Sequence, residues 1–450
     1  MESLSKQARS LSNSLLSLVL AVLALISCSD DPAKAPETTE SFPSTLATDW
    51  IDLQLIYAKE SPGFTPPVVS RAFGYCGLAF YEAVVNGSPS NQSLVGQLTG
   101  LDSLPQPDSK LEYHWALCAN AAAAQITRKM FENAPAPLLV RIDSLENVYL
   151  QKYANVSLAS DVSLRSYEYG RLIADSIYSY SKKDGGNKGF NRNFPASYIP
   201  PVGPGLWKPT NSQLAMLPSW GNNRTFIKDL KTKVTTEGFP AFSTDPASAF
   251  YAEANEVYTY GTTLTDEQTT IAYYWADEGF VTFTPSGHSF SIFTQLIEEG
   301  SFNLIEAAEG YAKLGIAMSD AFVYCWKVKY NNNLLRPSQF IQPNIDALWT
   351  PLIPNPPFPE YTSGHSTQSG SAAKILASMF GETFSFTDRT HTRLGLGLLP
   401  RSFSSFYEMA EEAGISRIYA GIHFSSANLQ GRASGYAIGD EVLNLQFKKP

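Results

Sequence analysis

Seven residues between positions 329 and 423 carry groups that suit one kind of ligand. They fall in three clusters: Lys329 with Arg336, then Ser363-Gly364-His365, then Arg417 with His423. Together they bring an ammonium, two guanidiniums, a hydroxyl, a glycine N–H and two imidazoles into one stretch of a chain whose formal net charge is −9. A tetrahedral oxyanion answers to that set. A buried site holds such an anion only when charge-assisted hydrogen bonds replace its lost water. Arginine forks reach two oxygens at once while lysine acts as a point charge, so Arg336 and Arg417 read as clamps and Lys329 as the adjustable cation. Of the two imidazoles, one can attack or coordinate the central atom while the other moves protons to or from a departing oxygen.

Local structure has to bring these groups together. Ser363–Ser366 runs into 367–380, where Ala372, Ala373, Ile375, Leu376, Ala377 and Met379 read as helix. The loop therefore opens on a helix N-terminus, whose free N–H groups and dipole favour an anion by roughly 0.3–1 kcal/mol per charge when exposed. Gly364, lacking a Cβ, permits close backbone approach. Lys329 and Arg336, seven apart, would share a helix face, but Asn331–Asn333 and Pro337 end the helix near Tyr330. Arg417 and His423, six apart, would diverge on an ideal helix, so a bend near Gly421 is required.

Written out, the clusters are KYNNNLLRP (329–337), TSGH (362–365) and SRIYAGIH (416–423). In that order they resemble the Lys-x6-Arg-Pro, Ser-Gly-His and Ser-Arg-x5-His pattern of the vanadium haloperoxidases, the bacterial iodoperoxidases in particular. The related type 2 phosphatidic acid phosphatases and bacterial acid phosphatases share it. The resemblance covers mainly 198–445, and it departs at Thr362, where the family usually has proline. It implies an all-α fold of two helical bundles with the oxyanion site in the C-terminal bundle, and vanadate as cofactor. His423 would bond the metal and His365 would be the acid–base group, with Lys329, Arg336, Ser363, Gly364 and Arg417 on the equatorial oxygens. His365, Lys329 and His423 would carry catalysis on hydrogen peroxide and halide, with the organic acceptor open. Trp326 and Phe358, the latter in PPFPEYTSGH (356–365), would wall the halide side, and Asp277 or Glu278 would partner Arg417 unless that pair is a solvated loop. Two other functions compete: an acid phosphatase with a phosphohistidine at His423, and a non-catalytic oxyanion-binding lipoprotein. The lipidated start, the three odd cysteines with Cys325 beside the site, and Thr362 resemble the bacterial iodoperoxidases and so imply iodide as the preferred halide.

TPSGH at 284–288 matches the family's usual wording better than TSGH does, yet it precedes Lys329 and breaks the motif order. His288 accordingly reads as structural or pocket-rim, His391 in DRTHTR as an exposed loop histidine, and His114 as a satisfied helix histidine.

With 450 residues, 44% hydrophobic and 17% charged, the chain has room for one large or two medium domains. Its acidic balance disfavours nucleic acid or an anionic membrane surface as partner. Lys6 and Arg9 precede an apolar run, 15–26, too short to cross a bilayer, which takes roughly 20 residues, but shaped like a secretory signal. Leu25-Ile26-Ser27-Cys28 resembles a lipobox, so 1–27 reads as a lipoprotein signal and Cys28 as the sole membrane anchor, in the bacterial periplasm or at the cell surface; a simple cleaved signal is the alternative. Residues 28–43 read as a flexible tether. Cys76, Cys118 and Cys325 allow at most one disulfide, and no cysteine has metal-ligand spacing, which argues against a zinc site.

Periodicity predicts helices at Asp49–Lys59, Pro66–Val85, Leu111–Phe131, Leu138–Tyr153 and Val162–Ser181, then at Pro246–Tyr258, Asp266–Trp275, Ser286–Ile297 and Phe302–Tyr330. The stretch 185–226 is rich in Gly, Pro and Asn, but its Tyr198, Trp207 and Trp220 favour an ordered connection. Domain boundaries follow: 44–235 for the first bundle with its connecting loop, 236–450 for the catalytic bundle.

Overall fold

Helical periodicity becomes helical structure along the whole of the computed structural model, which describes residues 37–154, 159–210 and 213–450. The expected signal, Cys28 and the tether before residue 37 lie outside the described residues. The first helices are α1 (Thr45–Glu60), α2 (Pro66–Val84), α3 (Trp115–Met130), α4 (Ala136–Ala154) and α5 (Ser160–Ser181). After the connecting loop come α6 (Leu230–Lys233), α7 (Ala249–Thr263), α8 (Asp266–Tyr274), α9 (Thr284–Glu299) and α10 (Leu304–Asn332). The series ends with α11 (Pro337–Asn344), α12 (Gly364–Phe380), α13 (Thr390–Leu394), α14 (Phe406–Tyr419) and α15 (Ser425–Leu443). Among the described residues, sheet is confined to an antiparallel pair, β1 (Phe386–Asp388) and β2 (Arg401–Phe403), with Phe386 opposite Phe403. The class is all-α, as expected.

Local signals explain where the important helices begin and stop. Pro66-Pro67 occupies the first positions of α2, where a missing N–H costs nothing. Asn303 and Glu306 form a reciprocal capping box at the start of α10. That helix ends at Asn333, whose φ of 48° is a conformation asparagine tolerates. His114 caps α3, its Nδ1 accepting from the Leu117 N–H at 3.2 Å.

Helices from both halves share one hydrophobic core, and Thr38–Pro450 forms a single unit. Its centre is the crossing of α2 and α10. A Cβ placed at Gly77 would lie 2.5 Å from Tyr311 O, and one at Gly315 2.7 Å from Phe73 O, so the backbones meet at a distance only glycine permits. The stretch Pro66–Gly87 is long and apolar enough to cross a membrane, but it is wholly enclosed by this packing.

Two boundaries differ from the sequence reading. Thr39–Pro43, expected in the tether, are packed: Thr39 Oγ1 donates to Val84 O at 2.7 Å, Phe42 sits against His114 and Tyr153, and Pro43 bridges to Asn303. One buried phenylalanine outweighs the polar residues around it. Residues 446–449 return to the first helices. The Gln92 N–H donates to Phe447 O at 2.9 Å, the Lys449 N–H donates to Ser90 O at 2.9 Å, and the Phe447 ring lies on Tyr81.

The connecting loop is folded onto α10. The Trp207 N–H donates to Asn333 O at 2.7 Å and the Met216 N–H to Pro357 O at 2.8 Å. Cys76, Cys118 and Cys325 are buried and unpaired.

Candidate functional site

Three reversals of the chain deliver the motif clusters to one cavity. Lys329 lies in the last turn of α10, and after the turn at Asn333 the chain sets Arg336 at the N-cap of α11. Ser363 caps α12, its Oγ accepting from the Ser366 N–H at 3.3 Å, so Gly364 and His365 form the first turn. A Cβ added at Gly364 would meet only Trp326, at 3.8 Å, which leaves that helix end accessible. Arg417 closes α14; Gly421, with φ 77°, makes the required bend, and His423 follows just before α15. The cavity holds about 230 Å³ and is lined by Gly364, His365, Arg417, His423, Trp326 and Phe358, with Met216 of the connecting loop and Pro66 of α2 on its wall. Lys329, Arg336 and Ser363 sit behind this lining.

Lys329, Arg336 and Arg417 are all buried, and among the described residues none of them pairs with a carboxylate. Backbone carbonyls hold them instead. Lys329 Nζ donates to Glu360 O at 2.8 Å, Pro359 O at 3.1 Å and Thr362 O. Arg336 donates to Phe358 O at 3.0 Å and Ile422 O at 2.7 Å, and Arg417 to Ala272 O at 2.8 Å and Ser416 Oγ at 3.0 Å. Burial pushes Lys329 down to about 8 and both arginines down to about 10. Carbonyls fix the geometry without neutralising the charge, and an uncompensated buried charge is strongly unfavourable. The donor set therefore fits an oxyanion such as vanadate. Phe358 presents its ring to two of the cations, 5.0 Å from Lys329 Nζ and 4.9 Å from Arg336 Cζ, and packs 4.9 Å from Trp326.

The two imidazoles are poised differently. His423 Nδ1 is 2.7 Å from Glu360 Oε1, which also accepts the Phe424 N–H at 2.9 Å. His423 Nε2 faces Arg336 Nη1 at 3.2 Å. Arginine can only donate, so Nε2 carries the lone pair and Nδ1 the proton. A carboxylate on the far nitrogen is the usual support of a metal-ligating histidine. Burial, then Arg336 and Lys329, hold His423 well below its ordinary range, while burial pushes Glu360 up to about 7 against the pull of Arg336 and Lys329. His365 has a buried Nε2 with no partner, and its ring is held by a backbone hydrogen bond to Trp275. Burial and Arg417 push it down to about 3. Both rings are neutral at physiological pH.

Sequence reasoning missed Glu360, although it stands within PPFPEYTSGH; one acid in a proline-rich run carries no signal of its own. Neither Asp277 nor Glu278 pairs directly with Arg417, though both act on it at longer range. Asp277 is turned to His288 Nδ1, 3.0 Å away, and Glu278 is exposed. His288 is buried between Asp277 and Asp388, outside the cavity lining. His391 is a correction: it is buried, because on α13 Arg389 and Arg393 turn outward to Glu299 and Asp52 while His391 turns inward to Tyr274 O at 2.7 Å. Thr362, the departure from proline, accepts at its carbonyl from Cys325 Sγ at 3.5 Å, so these two unusual residues form one contact.

Residues 310–448 match the family described as the VCPO second helical-bundle domain. Among solved structures, the chain is similar to the first bacterial vanadium-dependent iodoperoxidase, with 33% identity and a TM-score of 0.79. It is also similar to a bacterial vanadium-dependent chloroperoxidase in its holo form, with 13% identity and a TM-score of 0.64 over 85% of this chain and 92% of that one; this likeness concerns the fold alone. No curated protein matches the chain. The iodoperoxidase match spans 89% of this chain and 97% of the other, a correspondence of whole proteins rather than of one shared bundle, and the chain belongs to the vanadium-dependent haloperoxidase family.

Proposed function

We propose that the protein uses hydrogen peroxide and vanadate to oxidise halide, iodide best, to an electrophilic hypohalous species. The observation that carries this reading is the gathering of three buried cations without carboxylate partners around two neutral imidazoles. In it, His423 Nε2 would hold the metal, and Lys329, Arg336, Ser363, Gly364 and Arg417 would hold its oxygens. When bound, vanadate supplies a fully oxidised Lewis acid that activates peroxide without changing oxidation state.

The chain's own residues do the rest. Glu360 keeps the proton on His423 Nδ1 and so keeps Nε2 free to ligate. His365 Nε2, neutral and unpartnered, takes a proton from incoming peroxide and returns it to a departing oxygen. Lys329 sets positive charge beside an oxygen under attack; preorganised donors of this kind are typically worth about 10²–10³ each in rate. Trp326 and Phe358 exclude water and give the halide a weakly solvating wall.

The test is iodide oxidation by dialysed protein before and after addition of orthovanadate. Restored activity supports the reading. Turnover of p-nitrophenyl phosphate without peroxidation would instead make His423 the nucleophile of a phosphatase, which the same cationic clamp would serve, and neither activity would leave an oxyanion-binding protein. Lipid anchoring at Cys28 completes the proposal, and loss of the protein from the membrane fraction in Cys28→Ser tests it.

A further inference from the structure

Against the wall of the oxyanion cavity, which Asp277 helps to line, lies a second cluster whose chemistry is the opposite. Asp277, His288 and His391 are buried, and one ligand atom from each lies within 4.8 Å of the others. His288 Nδ1 is 3.0 Å from Asp277 Oδ1, and its Nε2 is 2.7 Å from Asp388 Oδ2. His391 Nε2 is 2.7 Å from Tyr274 O, and its Nδ1 is buried with no partner. Asp388 is itself fixed by the Tyr274 hydroxyl at 2.8 Å and the Thr390 N–H at 2.8 Å.

We propose that Asp277, His288 and His391 form a binding site for a divalent transition-metal ion, zinc by preference, adjoining the oxyanion site. In each histidine the Nε2 has an oxygen acceptor, the Asp388 carboxylate for one and the Tyr274 carbonyl for the other. In His391 that places the proton on Nε2 and the lone pair on Nδ1, the way ligating imidazoles are oriented by the groups behind them; in His288 the Nδ1 also faces a carboxylate, Asp277, so a metal would displace the proton held between them. Two imidazoles and a carboxylate, with no thiolate, suit zinc or a neighbouring first-row ion. Asp277 and Asp388 carry two negative charges, which a divalent ion balances when both imidazoles are neutral. Metal bonds of about 2 Å set ligand atoms roughly 3.3 Å apart, so the cluster contracts by about 1.5 Å at most.

The competing account is an ion triad, with a protonated His288 between its two aspartates. It explains Asp277, His288 and Asp388. It does not explain the His391 Nδ1 lone pair, although the two rings lie 5.1 Å apart and nearly perpendicular. The argument from cysteine spacing against zinc does not reach this site, because no cysteine takes part.

The ion would have a mechanical role. Asp277 sits on the non-helical strap between α8 and α9, where Asp277 and Phe280 have φ of 48° and 67°, a conformation that aspartate tolerates but phenylalanine holds only under constraint. The same strap carries Trp275, whose backbone holds His365. Tying Asp277 to α9 and α13 therefore fixes the acid–base imidazole from behind.

The test is zinc binding by the full, untagged chain, stripped with chelator and free of vanadate, with metal counted by mass spectrometry. One zinc per chain is expected, weakened at least 10-fold in His391→Ala and about 10–100-fold in Asp388→Asn, each with an unchanged circular dichroism spectrum. His423→Ala, altered in the oxyanion cavity, is expected to bind zinc like the parent. Should His391→Ala fail to fold, zinc-edge X-ray absorption on the parent protein should read two imidazole ligands. No zinc in the parent, full-affinity binding by a folded His391→Ala, or a zinc without imidazole ligands would overturn the proposal and leave the ion triad.

Discussion

Replacing Glu360 separates the bond to His423 from the charge around it. In Glu360→Gln the amide oxygen can still accept from His423 Nδ1 and the Phe424 N–H, as Oε1 does at 2.7 and 2.9 Å, so the ring keeps its orientation and, above the Glu360 value of about 7, the site loses one negative charge. That loss acts in two directions. A more positive cavity tightens any oxyanion: across the imidazole, about 7 Å, a unit charge is worth roughly 2 kcal/mol at an effective dielectric of 20. A less supported imidazole is a weaker ligand, and losses behind a metal ligand typically lower affinity about 10–100-fold, or about 1–3 kcal/mol. The two nearly cancel in the vanadate constant taken alone. Phosphate feels the same field but forms no metal bond to Nε2, so the ratio of vanadate to phosphate affinity isolates the ligand effect. It is expected to fall about 10–100-fold in Glu360→Gln and further in Glu360→Ala, where two buried donors lose their acceptor at about 1–3 kcal/mol each. Calorimetric titration of dialysed protein with each anion reads both constants. A ratio unchanged in both variants refutes the idea that Glu360 acts through His423.

His423→Ala is expected to lose vanadate on dialysis, whereas His365→Ala should retain it and lose turnover by about 10²–10⁴-fold; full activity of reconstituted His423→Ala would remove the ligand assignment. Without an oxyanion, Lys329 titrates near 8 in the folded chain against 10.5 ordinarily, so the unfolded chain binds the extra proton between those values. Stability should therefore rise from pH 8 to 10.5, by about 3 kcal/mol at most, and saturating phosphate should flatten the rise; denaturant melts across that window would show a flat anion-free profile if the burial argument is wrong. Iodide, the least hydrated and most easily oxidised halide, should turn over fastest, bromide weakly or not at all, and chloride not detectably. Chlorination at a comparable rate would reverse that order.

What could be read in advance was chemistry that depends on residue identity and order. Lys329, Arg336, His365, Arg417 and His423 are rare types at fixed separations, and Gly421 was demanded by the spacing of Arg417 and His423; the structure sets His365, Arg417 and His423 on the cavity wall, Lys329 and Arg336 behind it and the bend at Gly421. Long helices such as α2 and α10 were legible because their apolar faces repeat. Glu360 and His391 were not legible, because their meaning comes from what lies across the fold. Glu360 faces a histidine 63 positions away, and His391 is buried only because its charged neighbours find partners elsewhere on the surface. Asp277 was noticed, with Glu278, as an acid that could support the buried Arg417; it acts on that guanidinium at longer range and bonds His288 instead.

The return of residues 446–449 to the first helices has a consequence in time. The Tyr81 hydroxyl donates to Phe447 O across 366 positions of sequence, and α2 meets α10 at Gly77 and Tyr311 across a shorter but still long span. Contacts between such distant parts of a chain form late, since the intervening loop must close before they reward it. The first bundle therefore completes its packing only once Phe447 has docked on Tyr81. Residues 446–449 thus act as a clasp that closes late on the first helices.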